Sequence, residues 1–204
     1  MKVLKVIGII LAVVVVIFAA TFFIVSSGQP AEGNLESSIV ISASPETIYE
    51  EAVNIKKLDA WSPWYAMDPG AYTYEGPEEG VGATSKWSSE NPELGIGSLK
   101  IIEAVENKSI KTQMKFEGFN GNFSSYLNLE PAENGTKVVW GYNYKDIDQV
   151  GRFFMGLMDV NEEMMPMFEK GLSDLKQIAE AKPVPTAEVM EPVTEASDST
   201  IAEE

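Results

Sequence analysis

Between Asp148 and Ala181 the apolar residues Phe154, Met158, Met165, Phe168, Leu172, Leu175 and Ile178 recur at steps of three, four and seven. That period places them on one stripe of an α-helix. Glu163, Glu169, Lys170, Asp174, Lys176 and Glu180 fall on the opposite side, with Lys170 and Asp174, and Lys176 and Glu180, spaced i,i+4. A long amphipathic helix must cover its apolar stripe, and the segments before it read as strands able to supply the surface. The expectation is a sheet folded around one helix. Asp159-Val160-Asn161-Glu162 has the spacing of a capping box, and Pro166 cannot donate to the carbonyl of Glu162. A break or kink between Met158 and Pro166 follows.

Leu35–Ser42 reads as the first strand. Ser44-Pro45-Glu46-Thr47 then starts a short helix, with Ser44 as the cap and Pro45 at the first helical position, where its missing N–H costs nothing. Asn54 opens a second short turn that delivers Leu58 and Trp61. Six more strand-like runs follow: Ala71–Glu75, Ala83–Ser89, Ile96–Glu106, Ser109–Gly118, Asn122–Glu130 and Thr136–Lys145. Ile110, Thr112, Met114 and Phe116 alternate with Lys111, Gln113, Lys115 and Glu117, the pattern of a strand with one face buried and one in water. Val138, Trp140 and Tyr142 repeat it. Asn120-Gly121 and Asn134-Gly135 predict tight hairpin turns, because both residue types tolerate positive φ. About seven strands in sequential hairpins, with helices only early and late, make the fold class α+β with an antiparallel sheet.

Val6 to Val25 is an unbroken run of apolar or small residues, the length a helix needs to cross roughly 30 Å of hydrocarbon. A cleaved signal peptide is the competing reading, but its apolar region is usually only about 7–15 residues, and Val25-Ser26-Ser27-Gly28 is a poor cleavage site. Lys2 and Lys5 precede the run and no base follows before Lys56, which predicts a cytoplasmic N-terminus. The expected organisation is an anchor over 1–26, a Ser/Gly/Pro-rich linker over 27–33, a folded domain over 34–182 and a disordered acidic tail over 183–204. In a bacterium this is a single-pass protein of the inner membrane with its domain in the periplasm or outside the cell.

The formal charge is −16, and Arg152 is the single arginine. Phosphate backbones are bound by clustered Lys and Arg, so nucleic acid is not an expected partner. The chain has no Cys and no His. That removes disulfides, thiolate nucleophiles, the commonest general base and the commonest transition-metal ligand together. No cofactor is expected.

Several short motifs join this order of elements. Trp61-Ser62-Pro63-Trp64, Asp68-Pro69, Tyr74-Glu75-Gly76-Pro77, Gly80-Val81-Gly82-Ala83 and Phe168-Glu169-Lys170-Gly171-Leu172 with Leu175-Lys176 resemble the membrane-anchored bacterial members of the SRPBCC superfamily. These are polyketide cyclase/dehydrase-like proteins with a START-like helix-grip fold, and the resemblance spans about Asn34 to Ala181. It implies a sheet gripping the long helix, with a cavity between them for a hydrophobic or lipid-like small molecule. Similar domains include carriers, receptors and cyclases, so the fold leaves the chemistry open.

Candidate cavity residues follow from both lines. Trp61, Trp64 and Tyr65 form either an aromatic lip over a cavity or a plug at the edge of the core. Trp87, Met114, Phe116, Trp140 and Tyr142 belong to the inward face of the sheet, and Phe154, Met158 and Met165 to the helix stripe. Met155, Met158, Met164, Met165 and Met167 suit an adaptable pocket or simply fill gaps. A copper(I) site of Met164, Met165 and Met167 is disfavoured, because adjacent residues on a helix point about 100° apart. Glu75, Glu78 and Glu79, and Asp146 with Asp148, read as solvated turn residues, with Asp148 capping the helix. Arg152 reads as a surface ion-pair residue that could instead hold a ligand anion. Asn107, Asn122 and Asn134 match a glycosylation pattern that matters only in a eukaryotic secretory route. No catalytic constellation is visible. The expected function is a membrane-tethered binding module; the alternatives are a cyclase- or hydrolase-like enzyme and an interaction domain whose core is filled.

Overall fold

The computed structural model describes residues 2–157 and 160–182. An apolar N-terminal helix, α1 (Lys2–Gly28), precedes strand β1 (Gly33–Ile41) and three short helices, α2 (Pro45–Val53), α3 (Ile55–Trp61) and α4 (Pro63–Met67). Six strands follow: β2 (Tyr72–Glu75), β3 (Thr84–Ser88), β4 (Ile96–Val105), β5 (Ser109–Phe116), β6 (Asn122–Ala132) and β7 (Gly135–Lys145). Helices α5 (Gln149–Leu157) and α6 (Val160–Glu180) complete the order. All pairings are antiparallel, in the order β1-β7-β6-β5-β4-β3-β2, so the first strand closes onto the last and the rest form a meander. This is an α+β helix-grip fold, as the strand count and the late helix lead one to expect.

The alternation along β5 places Ile110 and Thr112 inward and buried while Lys111 and Gln113 face water. On β7, Thr136, Val138, Trp140, Tyr142 and Tyr144 are buried along one face. A bulge at Ile101 to Glu103 breaks the register between β4 and β5, and such bulges bend a strand and increase its twist. The bent sheet meets α6 through Phe168, Leu172, Leu175 and Ala179, each at most 2% exposed. On the outer side of α6, Lys170 pairs with Asp174 and Lys176 with Glu180. Gly171 belongs to the packed face: a Cβ there would stand 2.6 Å from Trp140 Cζ3 and 3.1 Å from Pro63 Cδ. The glycine in the Phe-Glu-Lys-Gly-Leu motif thus lets helix and sheet close.

The short helices obey their caps. Thr47 N–H donates to Ser44 Oγ with Pro45 in the first turn, and Lys56 and Lys57 N–H donate to Asn54 Oδ1. The Gly76–Gly82 segment is a turn that requires glycine, with φ of +81°, +76° and +100° at Gly76, Gly80 and Gly82. Its backbone is tied to the α2–α3 junction by Gly80 N–H to Val53 O and Ile55 N–H to Glu78 O, both 2.9 Å.

The described part of the apolar stripe falls on α5, which ends at Leu157, and on α6, which starts at Val160 and carries Pro166 within it. Two expectations change in detail. Neither Asn120 nor Gly121 has positive φ; the β5–β6 connection uses Gly118 at +81° instead. The β6–β7 pairing runs out to Ala132 and Gly135, so Glu133-Asn134 is the loop and Gly135, at +131°, lies beside Ile41 O. Met158, Asp159 and the tail 183–204 fall outside the described residues.

Candidate functional site

Between the concave face of the sheet and the N-terminal half of α6 lies a cavity of about 640 Å³. Its end nearest the short helices is walled by an aromatic cluster. The Trp140 ring centroid stands 4.5 Å from that of Phe168, 4.9 Å from Trp61 and 5.9 Å from Trp64, the two tryptophans in edge-on contact. Offset and edge-on geometry suits the ring quadrupole, and each buried indole N–H has a partner. Trp61 donates to Glu51 O at 3.1 Å, Trp140 to Ser125 Oγ at 3.0 Å, and Trp87 to Leu94 O at 3.2 Å. With their polar atoms satisfied, the tryptophans present carbon to the cavity.

Trp61, Trp64, Trp87 and Trp140 line this space, as do Met114, Phe116 and Tyr142. Trp61, 3% exposed, both plugs the core edge and faces the cavity. Three candidates are placed elsewhere. Tyr65 packs edge-on against Tyr72 at 4.9 Å, outside the cavity wall. Met165 packs on the core one step round the helix from Met164; it is Met164 and Met167, with Met155 from α5, that face inward. Phe154 is 47% exposed, because α5 is turned so that Met155 takes the cavity side. Met158 lies outside the described residues.

The turn carboxylates stay away from the cavity. Glu75 pairs with Lys86 and Glu78 with Lys56, both well exposed. Asp146 accepts from Asn122, and Asp148 caps α5 by accepting from Gly151 N–H at 2.8 Å. That backbone N–H, together with Asn120, holds the Asp148 carboxyl below its ordinary range. Arg152 is half-buried on α5 outside the cavity wall, and its Nε has no hydrogen-bond partner among the described residues.

The polar group that sequence reasoning missed is Asp59. It lies on α3 at the cavity wall, 4% exposed, and accepts a 2.7 Å hydrogen bond from Ser85 Oγ. Burial pushes its carboxyl up from 3.8 to about 6, against the opposing hydrogen bonds from Ser85 and Tyr74. Burial and the neighbouring Asp59 charge also raise the Tyr72 and Tyr74 hydroxyls, which therefore stay protonated as donors. A signal existed. Asp59 is four residues after Ile55 and one after Leu58, inside the buried stripe of α3, where a carboxylate is out of place unless it serves a site. The cavity is thus apolar over most of its wall, with the titratable Asp59 carboxyl and the Tyr72 phenol among its polar groups. Among the described residues no cluster of three His, Cys, Asp or Glu could hold a metal ion.

Ile147, Met155 from α5 and Phe119 from the β5–β6 connection also line the cavity, with Phe119 46% exposed. Asn120 Nδ2 donates to Asp148 Oδ2 at 2.8 Å and holds the two segments together.

Residues 32–180 match the family model described as polyketide cyclase / dehydrase and lipid transport. No functionally curated protein matches the chain. Among solved structures, an uncharacterised protein from Rhizobium leguminosarum is similar at 19% identity and a TM-score of 0.53, covering 74% of this chain and 96% of that one. Major latex-like protein 151 from Panax ginseng is similar at 11% identity and 0.52, covering 72% and 97%. Truncated norcoclaurine synthase from Thalictrum flavum is similar at 13% identity and 0.51, covering 71% and 92%. At these identities the likeness is one of fold.

Proposed function

Because the chain belongs to the polyketide cyclase/dehydrase and lipid transport family, we propose that it binds a hydrophobic or lipid-like small molecule while tethered to a membrane. The observation that carries this reading is the cavity itself. A space of about 640 Å³ falls in the range of small-molecule sites, roughly 300–1,000 Å³, and its wall is carbon with few convergent polar groups. A core closed on its own side chains would leave no such space. The ligand on this reading is mostly apolar and carries one hydrogen-bonding group to meet Asp59 and Tyr72. Trp61, Trp64, Trp87, Met114, Phe116, Trp140 and Tyr142 are its contact residues.

The tether is α1, 27 residues long with mean hydropathy 3.1 in its most apolar window and none of that window buried. Lys2 and Lys5 at its start, ahead of the apolar run, orient the N-terminus to the cytoplasm on this reading, with the domain in the periplasm or outside a bacterial cell. A second reading, a cyclase- or hydrolase-like enzyme, is favoured by Asp59 alone: a carboxyl with its pKa near 6 is suited to exchange protons at neutral pH.

Binding is tested by energy transfer from tryptophan to cis-parinaric acid with the full chain in lipid nanodiscs. All four tryptophans stand at or near the cavity wall and none lies in α1. The expected result is saturable transfer above the bilayer background. Transfer that only rises linearly with probe, as partition into lipid would give, overturns the proposal.

A further inference from the structure

The charged groups of the cavity wall have one sign. Asp59, Glu93, Glu117 and Glu163 line it, and among the described residues no Lys or Arg does. The three glutamates are exposed and the aspartate is buried. The bases on the same helix as Asp59 are engaged elsewhere, Lys56 with Glu78 and Lys57 with Glu51. Around Asp59 stand only uncharged groups: Ser85 from β3 and Tyr74 from β2 donate to it, Tyr65 from α4 hydrogen-bonds to Tyr74, and Tyr72 from β2 lies beside it as a protonated phenol. Above about pH 6 the wall therefore holds a buried carboxylate with no cation to pair with it among the described residues.

The apolar part of the wall suits a positive charge. Trp61, Trp64, Tyr72, Trp87, Phe116 and Trp140 all contribute rings to it. Tyr72 stacks on Trp87 at 5.8 Å and Trp87 stands 6.0 Å from Phe116, so rings run from the neighbour of Asp59 to the residue before Glu117. The face of an aromatic ring is negative and attracts a cation, most strongly where water is excluded. Among the described residues a cation stands over a ring only at Lys56 and Tyr74, and Tyr74 is not part of the wall.

We propose that the polar end of the ligand is a cationic amine: its apolar body fills the cavity, its ammonium N–H groups donate to the Asp59 carboxylate, and the aromatic wall flanks the charge. This rests on the reading of the cavity as a ligand site. The exposed glutamates attract a cation toward the lining. A carboxylate or phosphate head meets like charge there and at Asp59 and finds no base, so fatty acids, cis-parinaric acid among them, enter as the protonated acid. Binding and ionisation are linked. A cation favours the ionised form of Asp59 and draws its pKa from about 6 back toward 3.8, so its affinity rises as pH rises through about 6.

Three probes share one diphenylhexatriene rod and end in trimethylammonium, in propionate or in no substituent. Their saturable energy transfer from tryptophan is measured with the full chain in phosphatidylcholine nanodiscs at about pH 5 and pH 7.5, and the quaternary head keeps its charge at both. The dissociation constant of the cation is expected to fall about tenfold from the lower pH to the higher, as a carboxyl drawn from about 6 to its ordinary value requires. The unsubstituted rod is expected to change little and the propionate to bind more weakly at the higher pH, where the cation binds tightest of the three. Asp59→Asn, checked for folding by its urea curve, is expected to lose the slope, and the wild-type series stands without it. An unsubstituted or propionate probe that equals the cation at pH 7.5, a cation affinity that is flat with pH, or a slope that survives in folded Asp59→Asn overturns the amine and leaves the binding cavity in place. If neither these probes nor cis-parinaric acid shows saturable transfer, the cavity reading falls and the amine with it.

Discussion

Replacing Asp59 by Asn isolates the one buried carboxyl of the cavity. In the folded protein its pKa is pushed up from 3.8 to about 6, chiefly by burial. Burial therefore disfavours the charged form, and the folded state holds the proton more tightly than the unfolded chain does. The sign follows by linkage: stability at this site is greatest below about pH 4 and is lost as pH rises through about 6, where the folded carboxyl finally ionises. A difference of about two units corresponds to about 3 kcal/mol between those limits. Asn cannot ionise and lacks that dependence. The carboxyls held low, at Asp148 and Glu180, act in the opposite direction, but they are common to both proteins and cancel in the comparison. The assay is urea unfolding of the full chain in nanodiscs, followed by tryptophan fluorescence at several pH values. Relative to wild type, Asp59→Asn gains about 3 kcal/mol between pH 4 and pH 7, whatever the offset from its altered bonds to Ser85 and Tyr74. A difference that is constant across this window would refute the assignment of Asp59 as a desolvated, titrating group.

Other substitutions probe the frame that positions the cavity. Gly171→Ala forces Trp140 or Pro63 to shift, and overpacking of about 1–3 kcal/mol exceeds the roughly 1 kcal/mol gained in helix propensity, so the urea midpoint falls. Ser125→Ala leaves the buried Trp140 indole N–H without its partner and costs about 1–3 kcal/mol, read from the same curves. Asn54→Ala removes the side chain that accepts from Lys56 and Lys57 N–H, and costs about 1 kcal/mol. Lys182 pairs with the buried Glu51, whose carboxyl is held low by Lys182 and Lys57 against the cost of its burial. Glu51 therefore adds stability above its unfolded pKa, lost as pH falls through its folded one, and Lys182→Met weakens that acid-side dependence.

Much of the frame is legible because it is written in local patterns. The alternation of Ile110 and Thr112 with polar neighbours fixes which face of β5 is inward, and Ser44 and Asn54 announce their helices by cap chemistry. The i,i+4 pairs on α6 appear where the spacing puts them. Hairpin detail is less legible: the bend of the β5–β6 connection falls at Gly118, because the pairing of Ser109 with Asn128 sets which residues are left over. The site is harder still, since it depends on segments far apart in the chain. Nothing near Asp59 in sequence reveals Ser85 on β3, and the choice of Met164 over Met165 is decided by the rotation of α6. Phe154 fits the helical stripe of α6 by spacing, yet α5 turns it outward because its other faces meet α1 and the cavity.

Occupancy of the cavity by a ligand is the claim on which the rest depends, and native mass spectrometry of the full chain ejected from nanodiscs measures it directly. Thr112, 4% exposed on the cavity wall, provides the control, because Thr112→Trp fills the space without touching α1. Annular lipid held by the membrane helix is the same in both proteins, so only a cavity ligand distinguishes them. The wild-type chain is predicted to retain one apolar adduct that the variant, still folded by its urea curve, lacks. Identical adducts on both proteins, or none on either, would contradict a binding cavity.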